Sequence, residues 1–337
     1  MAQHVRRAGV TVVLLCLPLA LQQGSVLGLG LSQVNLALVA VMAAVALNLL
    51  VGYTGLISLG HAAFFAVGAM AAGILGTQLG LPFPLVLVAG ALTGAVVGTL
   101  VGLPSLRLRG LFLMLATLAL HFIALFIFTR YMLANFGPSG VFYAAPSIGG
   151  FEVGSDERWY FLLLVFAAGA VVLARNLVRS RHGRALVAVR DHDIAAASLG
   201  INVTRTRLVA FAVSSSLVTV AGVLYAYYLG LMTNETFTLP FVVGYFAMII
   251  IGGMSSIGGA VVGAIAWQFL PQVVETVSIE LSGTSPALSD AVAKYQGQIV
   301  SITLGILIVL VLRYRPGGLI GLWTGARNAV RNWPYSN

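Results

Sequence analysis

Apolar runs of about 15 to 22 residues recur along nearly the whole chain, each long enough to cross ~30 Å of bilayer hydrocarbon as a helix. They lie near 8–27, 32–51, 60–79, 83–102, 110–130, 159–177, 208–229, 240–254, 257–272 and 298–313. Charge is scarce: 8% of the residues are charged and 59% are hydrophobic, where a soluble domain carries roughly 25% charge. Such a surface is built to face lipid, and the 39 glycines suit closely bundled membrane helices. The expected fold class is therefore all-α, a polytopic bundle of about ten transmembrane helices forming a single domain over 1–337. The pair near 240–272, divided by Gly252-Gly253-Met254-Ser255-Ser256-Ile257-Gly258-Gly259, reads either as two spans or as a broken or re-entrant element. Residues 1–27, with Arg6 and Arg7 ahead of an apolar stretch, look superficially like a signal peptide. The topology closes only if they are kept as a span.

Charge sets the orientation. Arg6 and Arg7, Arg107 and Arg109, Arg175 to Arg207, and Arg313 to Arg331 hold fifteen of the 18 Lys and Arg, and ten spans place all four regions on one side. By the positive-inside rule that side is the cytoplasm, with both termini inside. Seven of the nine acidic residues fall on the other side, among them Glu152, Asp156, Glu157 and Glu235. This loop-wise distribution also removes the nucleic-acid reading that a net charge of +9 invites. Two outer segments, Tyr131 to Arg158 and Val273 to Gly297, are long enough either to receive an extracytoplasmic partner or simply to connect helices.

Absent motifs narrow the function. The only lysine, Lys294, has no glycine-rich phosphate loop before it, so the chain has no Walker-type ATP site of its own. His61 is followed by Ala62-Ala63-Phe64-Phe65, which is no zinc motif, and the single Cys16 allows neither an intrachain disulfide nor a cysteine cluster. The confident spans carry no carboxylate, which argues against an aspartyl intramembrane protease or a carboxylate proton relay. No catalytic, cofactor or metal site is expected.

Polar side chains at membrane depth are functional candidates by default. Asn48, His61, Thr117, His121, Ser214 and Ser215 form the candidate translocation pathway, each with the alternative of hydrogen bonding between helices. A near-mirror pair of glycine-rich turns, Gly52-Tyr53-Thr54-Gly55 with Ser58-Leu59-Gly60 and Gly252-Gly253 with Ser256 to Gly259, is compatible with an internal duplication or with chance. Gly90, Gly94, Gly98 and Gly102 recur every four residues and form a seam for close helix packing, inside this chain or against a second one.

The largest inner loop, 179–207, carries the strongest positive signal. Asp193 heads an alanine run that suits a short helix with an acid near its start. Gly200 and Asn202 supply its stop. A small rigid helix lying across the cytoplasmic face can pass on a push from a moving partner, although a basic inner loop is also what the charge rule alone produces.

The segment Gly183-Arg184-Ala185 … Ala195-Ala196-Ala197-Ser198-Leu199-Gly200-Ile201-Asn202 resembles the coupling loop of permeases from ribose-type and branched-chain amino-acid ABC importers. Further stretches agree in matching order from about residue 35 to 321. They are Asn48 to Phe65, Gly102-Leu103-Pro104-Ser105-Leu106-Arg107-Leu108-Arg109-Gly110, Gly137-Pro138-Ser139-Gly140 and Arg315-Pro316-Gly317-Gly318-Leu319. The chain is similar to the branched-chain amino-acid permease family, in its M-type branch. The resemblance implies a non-catalytic permease subunit in a bacterial inner membrane, importing a branched-chain or other hydrophobic amino acid, or a related solute such as urea, an amide or an aromatic carboxylate. It implies a second permease of H type, two ATPases that bind ATP and Mg, and an extracytoplasmic solute-binding protein. Arg184, Asp193, Ala195, Ala196, Gly200 and Asn202 would then contact the ATPase. Two departures stand out: Ile194 replaces the glutamate that opens the general importer motif, and Leu120-His121-Phe122 lacks an acidic residue many relatives carry. A self-sufficient channel or secondary carrier is the competing class, in which the inner loop would have no purpose.

Overall fold

The computed structural model describes residues 30–321 apart from 107, 109, 234, 283–285, 315 and 316. The expected first span at 8–27, Cys16, and Arg6, Arg7, Arg107, Arg109, Arg315, Arg327 and Arg331 lie outside the described residues. Among the described residues, eight helices are long and apolar enough to cross a membrane, and a ninth apolar helix is shorter. In chain order the helices are α1 (Leu31–Thr54), α2 (His61–Ala71), α3 (Phe83–Ser105), α4 (Leu111–Asn135), α5 (Asp156–Arg179), α6 (Arg181–Asp191) and α7 (Asp193–Ser198). They continue with α8 (Val203–Leu229), α9 (Leu239–Gly252), α10 (Ile257–Ser282) and α11 (Pro286–Tyr314). The all-α polytopic architecture follows directly from the apolar runs, and every described span has its helix.

The core is unusual in its small side chains. α1 is buried on all sides from Val39 to Thr54, with Ala43, Ala44 and Ala46 fully enclosed, and α5, α8 and α10 pack around it. Lipid offers no hydrophobic drive between helices, so close backbone approach and dispersion contacts must do the work. The glycine seam provides it within this chain: Gly90, Gly94, Gly98 and Gly102 of α3 face Val223, Thr219, Ser215 and Phe211 of α8. On the adjoining face of α8, Gly222 lies against the Phe65 carbonyl and Gly68 of α2 against that of Thr219. α4 shows the inverse pattern, burying Leu113, Thr117, His121, Phe128 and Met132 while exposing Phe112, Phe122, Ile123, Phe126 and Ile127. That outward face is apolar because its solvent is hydrocarbon.

Three features differ from expectation. α2 continues as a π-helical stretch, Ala72–Gln78, whose Gly76 makes room for the Tyr227 hydroxyl. The outer segment 131–158 contains short strands: β1 (Val141–Phe142) pairs antiparallel with β4 (Leu231–Met232), and β2 (Ser147–Ile148) with β3 (Phe151–Glu152). Tyr143 anchors it by donating to the Ala69 carbonyl at 2.9 Å, and burial, with Tyr227 adding, pushes its phenol well above the ordinary tyrosine range. The segment 273–297, read as an outer loop, is mostly helical, because α10 runs on to Ser282 and α11 starts at Pro286. Nothing between Val273 and Ser282 breaks a helix, and Thr276 and Ser278 return their hydroxyls to carbonyls four residues back.

The pair near 240–272 is unequal: α10 is long enough to span, and α9 is a shorter helix. After β4 the chain turns inward, and the Phe237 carbonyl meets His121 near the middle of α4 at 3.1 Å. Phe237 is fully buried, with Phe128 and Phe65 rings 5.6 and 6.1 Å away. α9 starts only there, so its 14 residues span about 21 Å, short of the ~30 Å of hydrocarbon.

Because Gly222 has no room for a Cβ beside the Phe65 backbone, Gly222→Val should cost at least the ~1–3 kcal/mol of ordinary overpacking. The expected outcome is loss of a monodisperse, thermally stable protein in detergent. A melting midpoint equal to that of the unmodified chain would show that α2 and α8 are not held this close.

Candidate functional site at the inner helix ends

The loop 179–207 folds as two short helices between α5 and α8. Ser180 ends α5 and caps α6, its hydroxyl accepting from the His182 and Gly183 amides at 3.2 and 3.3 Å. Gly183 is needed at this corner, since a Cβ there would collide with the Leu177 and Val178 carbonyls. α6 turns Leu186 and Val189 inward. Extended His192 breaks the helix, and α7 follows for six residues.

α7 presents an apolar outer face. Ile194 is 67% exposed and Leu199 82%, while Ala196 is 2% exposed and packs inward. Ala195 is exposed, so of these two adjacent alanines one faces the bundle and the other the surface. Gly200 takes a left-handed conformation, φ 83°, and the Ile201 amide returns to the Ala196 carbonyl at 3.1 Å, which closes α7. Asn202 opens the next element instead: its side-chain oxygen caps α8 by accepting from the Arg205 amide at 2.9 Å. Asp193 pairs with Arg207 of α8 at 3.2 Å, with both side chains largely shielded. Exposed Arg184 makes only a long 3.4 Å contact to the Arg179 carbonyl.

α6 is also fastened to the bundle, through a residue that sequence reasoning counted only as one more inner arginine. Arg190 Nη1 donates to the Gly52 carbonyl at 2.8 Å and to Ser255 Oγ at 2.7 Å. Ser255 Oγ donates to the same carbonyl at 2.7 Å. Asn48 accepts from the Ser255 amide at 3.0 Å and donates to the Ser256 carbonyl at 2.9 Å. Ser255 is the one non-glycine residue with a positive φ, 64°, among the described residues. Such a conformation costs about 1–2 kcal/mol, which these bonds offset. Gly317 and Gly318 then pack on Gly253. The inner ends of α1 and α9, the start of α10, the helix α6 and the segment after α11 thus meet at one knot. Its two glycine-rich turns are the pair whose likeness the sequence displays. The signal that could have flagged it is Ser255 flanked by glycines in a turn too tight for an unassisted serine.

The six pathway candidates separate. Asn48 belongs to the knot. Thr117 accepts from the Leu59 amide at 3.0 Å and contacts the Leu113 and Met114 carbonyls of its own helix at 3.0 Å. His121 holds the Phe237 carbonyl through Nε2. Ser214 returns its hydroxyl to Phe211 at 3.2 Å, and Ser215 sits in the seam beside Gly98. His61, at the head of α2, is buried against Phe64 with neither ring nitrogen hydrogen-bonded among the described residues.

Residues 31–312 match the family model described as branched-chain amino acid transport system / permease component. The high-affinity branched-chain amino acid transport system permease protein LivM of Salmonella typhimurium is 28% identical over 333 residues, covering 92% of this chain and 73% of that protein. The protein of the same description from Escherichia coli is 28% identical over 310 residues, 85% and 68% of the two chains. The autoinducer 2 import system permease protein LsrC of Klebsiella pneumoniae is 32% identical over 127 residues, 37% and 35% of the two. No solved structure matches.

Replacing Arg190 by Ala removes two hydrogen bonds from a charged donor, and Asn48→Ala leaves a buried amide and carbonyl unpaired. Each should cost about 1–3 kcal/mol, less for Arg190 because its guanidinium is partly solvated. Combined, they should destabilise by a non-additive amount, departing from the sum by at least ~0.5 kcal/mol. Strict additivity in detergent melts would mean that the knot is not one unit.

Proposed function

We propose, from the premise that this chain belongs to the branched-chain amino acid transport system / permease component family, that it is the membrane-spanning permease subunit of an ATP-driven importer. The observation that carries this reading is α7, a short helix with Ile194 and Leu199 exposed on the inner side of the bundle. An apolar pair on a basic, water-facing loop is ill placed for lipid and well placed for a groove in a cytoplasmic partner. The partners are two ATPases, which bind ATP and Mg, a second permease of related sequence, and an extracytoplasmic solute-binding protein. The chain lies in a bacterial inner membrane with both termini in the cytoplasm, and the ordered outer segment around β1 and β4 faces the binding protein.

The solute is a branched-chain or other hydrophobic amino acid. The relatives support this class, being described as branched-chain amino acid permeases over most of this chain's length.

Coupling would run through two fastenings. Asp193–Arg207 ties α7 to α8, and Arg190 ties α6 to the inner ends of α1 and α9. A displacement of α7 by the ATPases therefore reaches three membrane helices through short polar contacts rather than through loose chain. Arg184, Ala195, Gly200 and Asn202 contribute the surface and the shape of this loop.

Proteoliposomes holding the whole importer test the reading. Ile194→Asp with Leu199→Asp should lower ATP-dependent leucine uptake at least tenfold while membrane insertion and the melting midpoint stay unchanged. Gly200→Val, strained by about 1–2 kcal/mol at its positive φ, should lower uptake in the same direction. ATP-driven uptake unchanged in both variants, or concentrative uptake by this chain without any ATPase, would refute the assignment.

A further inference from the structure

A cavity of about 220 Å³ lies between α1, α2, α8, α9 and α10. Ala40, Phe65, Phe241 and Met248 form its apolar wall. Phe65 is the centre of an aromatic cage, with Tyr225, Phe241 and Tyr245 rings at 5.1, 5.4 and 5.7 Å, all edge-on. Gly244 lets Trp267 close the opposite side, its indole already at the limit of what a Cβ there would tolerate.

The rim is polar and uncharged. Tyr225, Tyr245, Trp267 and Gln268 all line the cavity. None of their side-chain polar groups has a hydrogen-bond partner among the described residues, and burying such groups against hydrocarbon alone is unfavourable. An acyl chain would fill the wall and leave this rim unsatisfied. A solute with an apolar body and a polar head would satisfy both. The volume is too small for a long hydrocarbon tail and suits a side chain of leucine to phenylalanine size with part of its head. One wall is α9, the shortened helix whose inner end is held in the knot with Arg190.

We propose that this cavity is a transient binding site for the apolar side chain of the transported solute, within a single permease subunit. The inference rests on the importer reading and gives it a location. The head group lies toward Gln268 and the two tyrosine hydroxyls, and movement of α9 opens or collapses the site.

The test uses the complete transporter in nanodiscs with Cys16, the only cysteine, replaced by Ser. Ala40→Cys is then labelled with a small methanethiosulfonate. Leucine and isoleucine should slow labelling at least fivefold, and glycine should not. Met248→Ala should extend protection to tryptophan, a shift that general destabilisation would not produce. If Ala40→Cys fails to assemble, Met248→Cys takes its place as the labelling site. Separately, Ala40→Phe should cut leucine uptake at least tenfold while leaving ATP hydrolysis in place. Labelling indifferent to leucine, or slowed equally by decane and glycine, overturns the inference. ATP-dependent uptake that survives Ala40→Phe, with Ala40→Cys unprotected, removes the cavity and leaves the importer reading standing. Protection by leucine in an assembly that performs no ATP-dependent uptake does the reverse.

Discussion

A backbone amide or carbonyl freed inside hydrocarbon has no water to bind, and four interruptions of the helices in this bundle are met by a side chain sent from elsewhere. Where α9 starts late, His121 takes the Phe237 carbonyl. Where the chain turns from α9 to α10, Asn48 takes the Ser255 amide and the Ser256 carbonyl. Ahead of α2, Thr117 takes the Leu59 amide. Where α2 relaxes into its π-helical end, Tyr143 takes the Ala69 carbonyl. The breaks are possible only because these polar groups exist, and the groups can remain buried only because the breaks give them partners.

This exchange gives polar residues at membrane depth a role in holding helix ends. Asn48, Thr117 and His121 are costly in lipid, as the sequence argument held, yet their observed contacts are with backbone at helix ends. The cavity offering free polar groups instead draws them from Tyr225, Tyr245, Trp267 and Gln268. Those are interfacial residue types, which a one-dimensional reading assigns to the membrane boundary. α9, which begins inside the bundle, brings Tyr245 inward, and nothing in a hydropathy profile records that displacement.

Much of the fold was legible because lipid imposes length and composition together. Apart from α6 and α7 in the inner loop, the helices fall on the apolar runs, and the four-residue glycine period marked a packing seam whose partner, α8, only the fold supplies. The corner residues of the inner loop were readable as turn formers, although Asn202 caps the following helix rather than ending α7. What escaped was pairing across distance. β1 and β4 are two-residue strands nearly ninety positions apart, too short to leave a periodic trace. Arg190 looks like any inner arginine, because its partners Gly52 and Ser255 are defined only after α1 and α9 meet. The extension of α10 beyond Val273 was hidden for the opposite reason: polar residues there suggested a loop, while helix propensity and hydroxyl back-bonding carried the helix onward.

On the proposed reading, α9 is the element best suited to convert a push into access. It is about 21 Å long by its residue count, it is covalently loose at both ends, and its polar fastening is concentrated at one of them. At the inner end Gly253, φ 112°, and Ser255, φ 64°, already occupy conformations that ordinary helix continuation forbids, so rotation there disturbs no regular hydrogen-bond ladder. At the outer end, Thr238 lends no side-chain cap, and the preceding Phe237 is held by its carbonyl contact with His121 and by ring packing against Phe65 and Phe128. A full-length span would have to break a continuous ladder to tilt independently of its neighbours. A shortened helix pivots on a few backbone torsions at its ends. Arg190 grips that pivot from α6, and Phe241, Tyr245 and Met248 on the same helix wall the cavity, so the proposed push on the inner loop would reach the helix that forms one side of the aromatic cage.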